Sequence, residues 1–281
     1  MIVIKLQGGL GNQMFQYAFG VALAEKYQDE LTFELGYFKD SSSRQLGLSY
    51  FNTIIPEISE ATHNRFYTLR SRILKKINLY SLSHYIVHYQ HHFNYYFIAH
   101  KKNKTILYVG YWQSPINFQK VSGLLKQQFT LKTNSITPAD IALVSQDETV
   151  AIHVRRGDYL IGENAKVHTN LSIEYYIKAV EKMQQLMPQS KYIVFSDDIE
   201  WVIDNLKIPV QWQPMHNQEY RDVDIMLLMS KCSHQIIANS TFSWWAAWLN
   251  INVNKIIIRP KNWFANGINE SDLIPDTWII I

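Results

Sequence analysis

The sequence predicts an α/β protein built on parallel sheets, and three observations carry that expectation. After residue 139, β-rich runs at Val150–Val154, Tyr192–Phe195, Gln235–Ala238 and Lys255–Ile258 alternate with helical patterns near Ser172–Met187, Asp198–Leu206, Glu219–Met229 and Phe242–Leu249, which is how successive βαβ units read. These runs are near-continuously apolar, as expected of strands covered on both faces. The chain also opens on an apolar run, Met1–Leu6, followed by a glycine turn and a helical repeat in which Met14, Ala18 and Val21 recur with Phe15, Phe19 and Ala22.

Between these regions the chain is Tyr- and His-rich. The spacing predicts helices over Glu60–Ile77 and Ser83–Phe97 and a strand over Thr105–Tyr111. The polar stretch Lys132–Pro138 marks the change of pattern, so two domains are expected, 1–139 and 140–281. No internal repeat of fixed period is present.

Composition bounds the function. Of 281 residues, 47% are apolar and 18% charged, which excludes a disordered or low-complexity chain. The lone cysteine, Cys232, excludes an internal disulfide and a Cys-based zinc cluster. No run reaches the roughly 20 apolar residues of a membrane-spanning helix. Lys5 and the glycines after it also break what would be the core of a signal peptide, so a cytoplasmic location is expected. The net charge of +3 hides an asymmetry: Ala61–Ala139 holds no Asp or Glu and 11 Lys or Arg. That block reads either as solvated faces or as attraction to an anionic membrane. Nucleic acid is not expected, because no binding motif accompanies the charge.

Ligands of parallel sheets bind beyond the carboxyl ends of the strands, where several motifs fall. Gly8-Gly9-Leu10-Gly11 has Met14 where a dinucleotide fingerprint needs its third glycine, which argues against an NAD-dependent oxidoreductase. Gly9 and Gly11 still permit close backbone approach, and Asn12 and Gln13 add amides at a helix start suited to phosphate. Arg155 and Arg156 are adjacent guanidiniums that need an anion or carboxylate between them: a diphosphate, or an ion pair with Asp158. His153 points to the same side of its strand as Arg155 and reads either as a contact to a base or as a satisfied core histidine. Asp197 and Asp198 either accept from a guanine or ribose or cap the next helix. Asn239, Ser240 and Thr241 are open to the same two readings.

Two metal patterns are discounted. Asp222-Val223-Asp224 lies in a helical stretch where i and i+2 face apart. His84, His88, His91 and His92 have ligand-like helical spacing without a supporting carboxylate, and with Tyr85, Tyr89, Tyr95 and Tyr96 they read instead as a ring-stacking surface suited to sugars.

Taken together, Gly8 to Tyr17, His153-Val154-Arg155-Arg156-Gly157-Asp158-Tyr159, Phe195 to Asp198 and Asn239 to Trp245 resemble the α-1,2-fucosyltransferases of glycosyltransferase family 11. The resemblance implies two facing Rossmann-like domains of glycosyltransferase B type, with the C-terminal one binding GDP-fucose. It implies inverting transfer of L-fucose from GDP-β-L-fucose to the 2-hydroxyl of a galactose-terminated glycan, with no metal or other cofactor. Carried over, Arg155 and Arg156 take the donor diphosphate and His153 lies near the nucleotide. Asp197, Asp198, Asn239, Ser240 and Thr241 complete the donor pocket. Asn12 and Gln13 reach in from the N-terminal domain.

Inversion needs a base for the acceptor proton, for which Asp158 is the first candidate and Glu163 the reserve. The lack of an N-terminal anchor resembles the soluble bacterial members and implies a free or lipid-linked oligosaccharide acceptor, to which the basic segment could add contact with anionic lipid. A non-catalytic nucleotide- or polyanion-binding protein would use the same arginines, and turnover separates the two.

Overall fold

The computed structural model describes residues 1–40, 44–68, 83–91, 94–96, 98–156, 171–215, 217–264 and 269–281. The chain divides into two compact units, residues 1–132 with 271–273 and residues 133–270 with 274–281. The break comes ahead of the 139/140 boundary read from the sequence because 133–137 is tied to the second unit. Arg221 Nη2 donates to the Thr133 carbonyl (3.3 Å) and to Ser135 Oγ (2.8 Å), and Ser135 Oγ donates to Asp224 Oδ1 (2.9 Å).

The N-terminal unit runs β1 (Ile2–Lys5), α1 (Leu10–Tyr27), β2 (Leu31–Glu34), α2 (Gly36–Asp40), α3 (Glu60–Phe66), β3 (Tyr85–Tyr89), β4 (Thr105–Val109) and α4 (Ser122–Gln128), with 3-10 turns at Gly47–Tyr50 and Pro115–Val121. Its strands pair in parallel in the order β2-β1-β4-β3. The first helix is buried on most of its surface and lies close on the sheet because Gly20 lacks a side chain: a Cβ there would come within 2.7 Å of Ile4 Cγ1. The strand order reverses between β1 and β4, so the turns after these two parallel strands flank a switch point.

The helix expected over Ser83–Phe97 is a strand instead. Tyr-Ile-Val-His-Tyr is rich in β-branched and aromatic residues and pairs along its length with β4, from Tyr85↔Thr105 to Tyr89↔Val109. Tertiary pairing overrides the helical spacing of the histidines. His88 Nε2 lies 3.2 Å from Tyr96 Oη, and its ring stacks at 6.0 Å on Trp112. Of the helix expected over Glu60–Ile77, α3 is present and 69–82 lies outside the described residues.

The second unit runs α5 (Pro138–Val144), β5 (Thr149–Val154), α6 (Ile173–Leu186), β6 (Lys191–Ser196), α7 (Ile199–Asn205), β7 (Trp212–Pro214), α8 (Asp222–Lys231), β8 (His234–Ile236), α9 (Thr241–Leu249), β9 (Ile257–Arg259) and β10 (Ile279–Ile280). Its strands form a parallel sheet in the order β10-β9-β8-β5-β6-β7, the doubly wound Rossmann order with its switch point between β5 and β8. The core gathers Val150, Ile152, Val194 and Ile236 of the sheet with Tyr176, Ala179, Val180 and Met183 of α6. Tyr175 Oη anchors that helix by donating to the Ile237 carbonyl at 2.6 Å. Both units are thus α/β and Rossmann-like. No described helix is long and apolar enough to cross a membrane.

Asp224 is fully buried and accepts from Arg221 Nε (2.7 Å), Nη2 (2.8 Å) and backbone N–H (3.0 Å) as well as from Ser135. Burial pushes its carboxyl up, but the Arg221 and Ser135 hydrogen bonds and the guanidinium charge outweigh this and hold it below the usual range. A carboxyl with a depressed native pKa stabilises the fold above its unfolded pKa, and that contribution is lost as pH falls through the native value. Asp224→Ala is expected to cost about 1.5–3 kcal/mol in urea unfolding by removing the charged acceptor of Arg221 and Ser135. The difference between variant and wild type should shrink below about pH 4.

Candidate functional site

The register of two neighbouring strands builds the candidate site. β5 pairs β6 in parallel up to Val154↔Ser196, and continuing one and two positions further sets Arg155 beside Asp197 and Arg156 beside Asp198. On its other edge β5 pairs β8 with Ile152↔Ile236, so the chain leaves β5 and β8 side by side at the switch point.

Both arginines are clasped by carboxylates. Arg155 Nη1 lies 3.1 Å from Asp197 Oδ2, and Arg156 Nε lies 3.3 Å from Asp198 Oδ2. Asp197 Oδ1 also accepts the Arg156 backbone N–H at 2.9 Å. Asp198 caps α7, its Oδ1 accepting from the Trp201 N–H at 3.3 Å, and Trp201 in turn lies beneath the Arg156 guanidinium, 3.4 Å from ring centroid to Cζ. Asp197 and Asp198 are thus ion-pair partners of these arginines that the sequence did not suggest. Asp158, the expected base, and its reserve Glu163 lie outside the described residues. Arg156 spends its Nε on Asp198 and its face on Trp201. Its two terminal nitrogens make no hydrogen bond among the described residues, and such a fork suits a phosphate oxygen. Trp201 was not singled out from the sequence. Its signal was its place three residues after a capping aspartate, in the first turn of the helix.

His153, two residues before Arg155, is 3% exposed and packs on Phe242 with ring centroids 5.5 Å apart. Burial, reinforced by the Arg155 charge, drives its pKa down to about 3, so the ring is neutral at physiological pH. Its Nδ1 is buried without a hydrogen-bond partner among the described residues.

Across the switch point, Asn239 and Ser240 have structural work. Asn239 Nδ2 donates to the Trp263 carbonyl at 3.2 Å, and Ser240 caps α9 by accepting from the Phe242 N–H at 3.3 Å. Thr241 opens that helix, half-buried, with no acidic residue in the first turn to counter an anion. Asp222 and Asp224 do not act together: Asp222 is exposed, and Asp224 is buried on Arg221.

In the N-terminal unit the glycine turn and the start of α1 form a separate set. Gly8 has φ +80°, a conformation natural to glycine. Gly9 is the N-cap of α1 and supplies no capping side chain, while Gly11 is buried in the first turn. Gln13 is 1% exposed and spends its amide on the backbone, donating to the carbonyls of Gly8 and Gln45 at 2.9 Å each. It holds the loop together. Asn12 is half-buried and its Oδ1 accepts from Gln113 Nε2 at 2.8 Å. Gln113 was not foreseen.

A doubly wound nucleotide-type fold with paired arginines at its switch point defines the class, a glycosyltransferase, once comparison with known proteins is added. Residues 1–281 match glycosyl transferase family 11, and the chain belongs to that family. It is 31% identical to the O-antigen biosynthesis glycosyltransferase WbnK of Escherichia coli, over 98% of each chain. It is 30% identical to an Escherichia coli α-1,2-colitosyltransferase, over 100% of this chain and 99% of that one. Against the mouse galactoside 2-α-L-fucosyltransferase Sec1 the identity is 26%, over 89% of this chain and 64% of the relative. Among solved structures, fucosyltransferase NodZ from Bradyrhizobium shares the fold at a TM-score of 0.50 and 14% identity, covering 88% of this chain and 92% of that one.

The neutral burial of His153 makes a prediction. Its ring resonances, followed by NMR with His153→Gln for assignment, should not titrate between pH 5 and 8. The unfolded chain takes up the proton near pH 6.5 and the native chain does not. This residue should therefore make stability fall with pH from about 6.5 downward, by up to about 1.4 kcal/mol per pH unit. Titration near pH 6.5 in the native protein would contradict this environment.

Proposed function

We propose that this chain is an inverting, metal-independent α-1,2-fucosyltransferase that moves L-fucose from GDP-β-L-fucose to the 2-hydroxyl of a galactose-terminated glycan. The observation that carries the reading is the pair of guanidiniums fixed by register-matched aspartates at the switch point. Breaking the bond between the sugar C1 and the diphosphate oxygen builds positive charge on the ring and negative charge on the departing GDP. Arg156, and Arg155 beside it, meet that negative charge, and because the aspartates hold them in place beforehand, little reorganisation accompanies the reaction. Asp197 and Asp198 then act by positioning the arginines. His153 and the first-turn N–H groups of α9 at Ser240 and Thr241 complete the nucleotide side, with Asn239 holding the loop.

The acceptor oxygen attacks the opposite face of C1. Its proton passes to a carboxylate, Asp158 first and Glu163 in reserve, while GDP takes the electrons of the broken bond. With guanidiniums carrying the countercharge, no metal is needed. On the N-terminal unit, Asn12 serves the transferred sugar by donating from its amide.

A second reading of the donor has its own support, the full-length similarity to an α-1,2-colitosyltransferase. Colitose is fucose without the 3-hydroxyl, so the same diphosphate chemistry applies and only a hydrogen bond to that hydroxyl separates the donors. A site built around the hydroxyl rejects its absence strongly.

Both donors, offered with galactose-terminated oligosaccharides and followed by linkage analysis, test the reading. GDP-fucose should yield an α-1,2 linkage, at a rate unchanged by a chelator. Arg155→Ala and Arg156→Ala should fold normally and lose about 10²-fold or more in turnover. GDP affinity without turnover would mark a binding protein, preference for GDP-colitose would move the donor assignment, and near-normal rates in both variants would remove the diphosphate role.

We also propose that the acid-free segment touches anionic lipid, bringing the enzyme to a lipid-linked acceptor. Lys101, Lys102, Lys120, Lys126 and Lys132 are exposed along it, and Arg70, Arg72, Lys75 and Lys76 lie outside the described residues. Co-sedimentation with liposomes at low salt should rise with the fraction of anionic lipid and fade with added salt. Binding indifferent to lipid charge would remove this contact.

A further inference from the structure

Within the N-terminal unit the two strands that flank the switch point, β1 and β4, each lead into a turn. Gln16 bridges these turns by accepting from the Gln7 N–H (2.9 Å) and donating to the Gly110 carbonyl (3.2 Å), and a second side-chain hydrogen bond ties the start of α1 to the turn after β4. It runs from Gln113 Nε2 to Asn12 Oδ1, 2.8 Å. Its geometry is held from several directions. Gln113 is 6% exposed. Its turn is fixed by Gln90 Oε1, which accepts from the N–H groups of Tyr111 (2.8 Å) and Trp112 (3.0 Å), and by Trp112 itself, a non-glycine residue at φ +55°. On the other side, Asn12 Nδ2 lies over Gly8, where a Cβ would come within 3.0 Å of it. Asn12 is thus told which way round to sit: its carbonyl faces Gln113 and its NH2 lies on the Gly8 side.

Gln113 satisfies this at a cost. Its own Oε1 is buried with no hydrogen-bond partner among the described residues. A buried, unpaired amide oxygen is unfavourable, and an apolar side chain of similar shape would remove the penalty. A polar residue kept where packing alone disfavours it is a mark of function over stability.

We propose that Gln113 is a positioning residue for glycosyl transfer: by donating to Asn12 Oδ1 it fixes the Asn12 amide so that Nδ2, the donor end, is offered to the substrate. An untethered amide would present its oxygen as readily, and an oxygen repels the electron-rich atoms a donor would bind. The inference rests on the reading above in which Asn12 acts on the transferred sugar.

A double-mutant cycle on the full chain tests it, using whichever of GDP-fucose or GDP-colitose the wild-type protein turns over. Asn12→Ala should lower kcat by about 10²-fold. Gln113→Met should lower kcat by about tenfold with donor KM moved less than about twofold, while its thermal midpoint stays level or rises, a combination that a merely structural role does not give. The double variant should be no slower than Asn12→Ala alone, because Gln113 acts through Asn12.

Wild-type kcat in Gln113→Met, or a double variant slowed by the product of the single effects, overturns the proposal and leaves the Asn12 role standing. Wild-type kcat in Asn12→Ala overturns both. Should Gln113→Met fail to fold, Gln113→Glu decides. Its carboxylate only accepts, so Asn12 must turn its NH2 inward, and a loss of kcat at least as large is expected. Full activity in that variant overturns the proposal.

Discussion

Strand register is the constraint on which the rest depends. Two parallel strands, β5 and β6, pair up to Val154↔Ser196, and beyond that level one carries two arginines and the other two aspartates. The matched dipeptides meet as ion pairs of 3.1 and 3.3 Å. A slip of one residue would set Arg155 beside Ser196 or Asp198, and the clasp would be lost. Register itself is set by the buried runs of both strands, where Val150, Ile152 and Val194 are fully buried. Core packing therefore dictates the geometry of the charges.

Such a clasp differs from an ordinary surface ion pair in what it leaves over. One carboxylate oxygen of Asp198 caps α7 while the other holds Arg156 at Nε, and the Trp201 ring supports the guanidinium face. The planar fork is oriented without its terminal nitrogens being consumed by any described residue. Lysine could not be held in this way, because its single ammonium is a point charge with neither a plane to stack nor a second edge to offer.

Much of this was legible in the sequence, and the misses share a cause. The alternation of apolar runs and helical patterns named the second unit nearly element by element, and the four motifs named the family. What one-dimensional reading lacked was the alignment between strands distant in the chain. Arg155 and Arg156 were therefore read beside Asp158, the neighbour in sequence, and their pairing with Asp197 and Asp198 on the adjoining strand was not foreseen. The same gap hid the Gln113–Asn12 hydrogen bond, which exists because the turn after β4 lies beside the start of α1. The Tyr- and His-rich stretch failed for a local reason: histidine spacing suggested a helix, while Tyr85–Tyr89 had both the composition of a strand and a partner along its whole length. Gln13 was read as a ligand contact from its place at a helix start, and its amide is taken by backbone carbonyls instead.

The most direct test of the central claim is a crystal structure of the protein with GDP and no added metal. The account predicts pyrophosphate oxygens within about 3 Å of the terminal nitrogens of Arg156, with Asp198 still on its Nε and Asp197 still on the Arg156 backbone N–H. Phosphates bound clear of both guanidiniums, with the arginine–aspartate clasp intact, would contradict it.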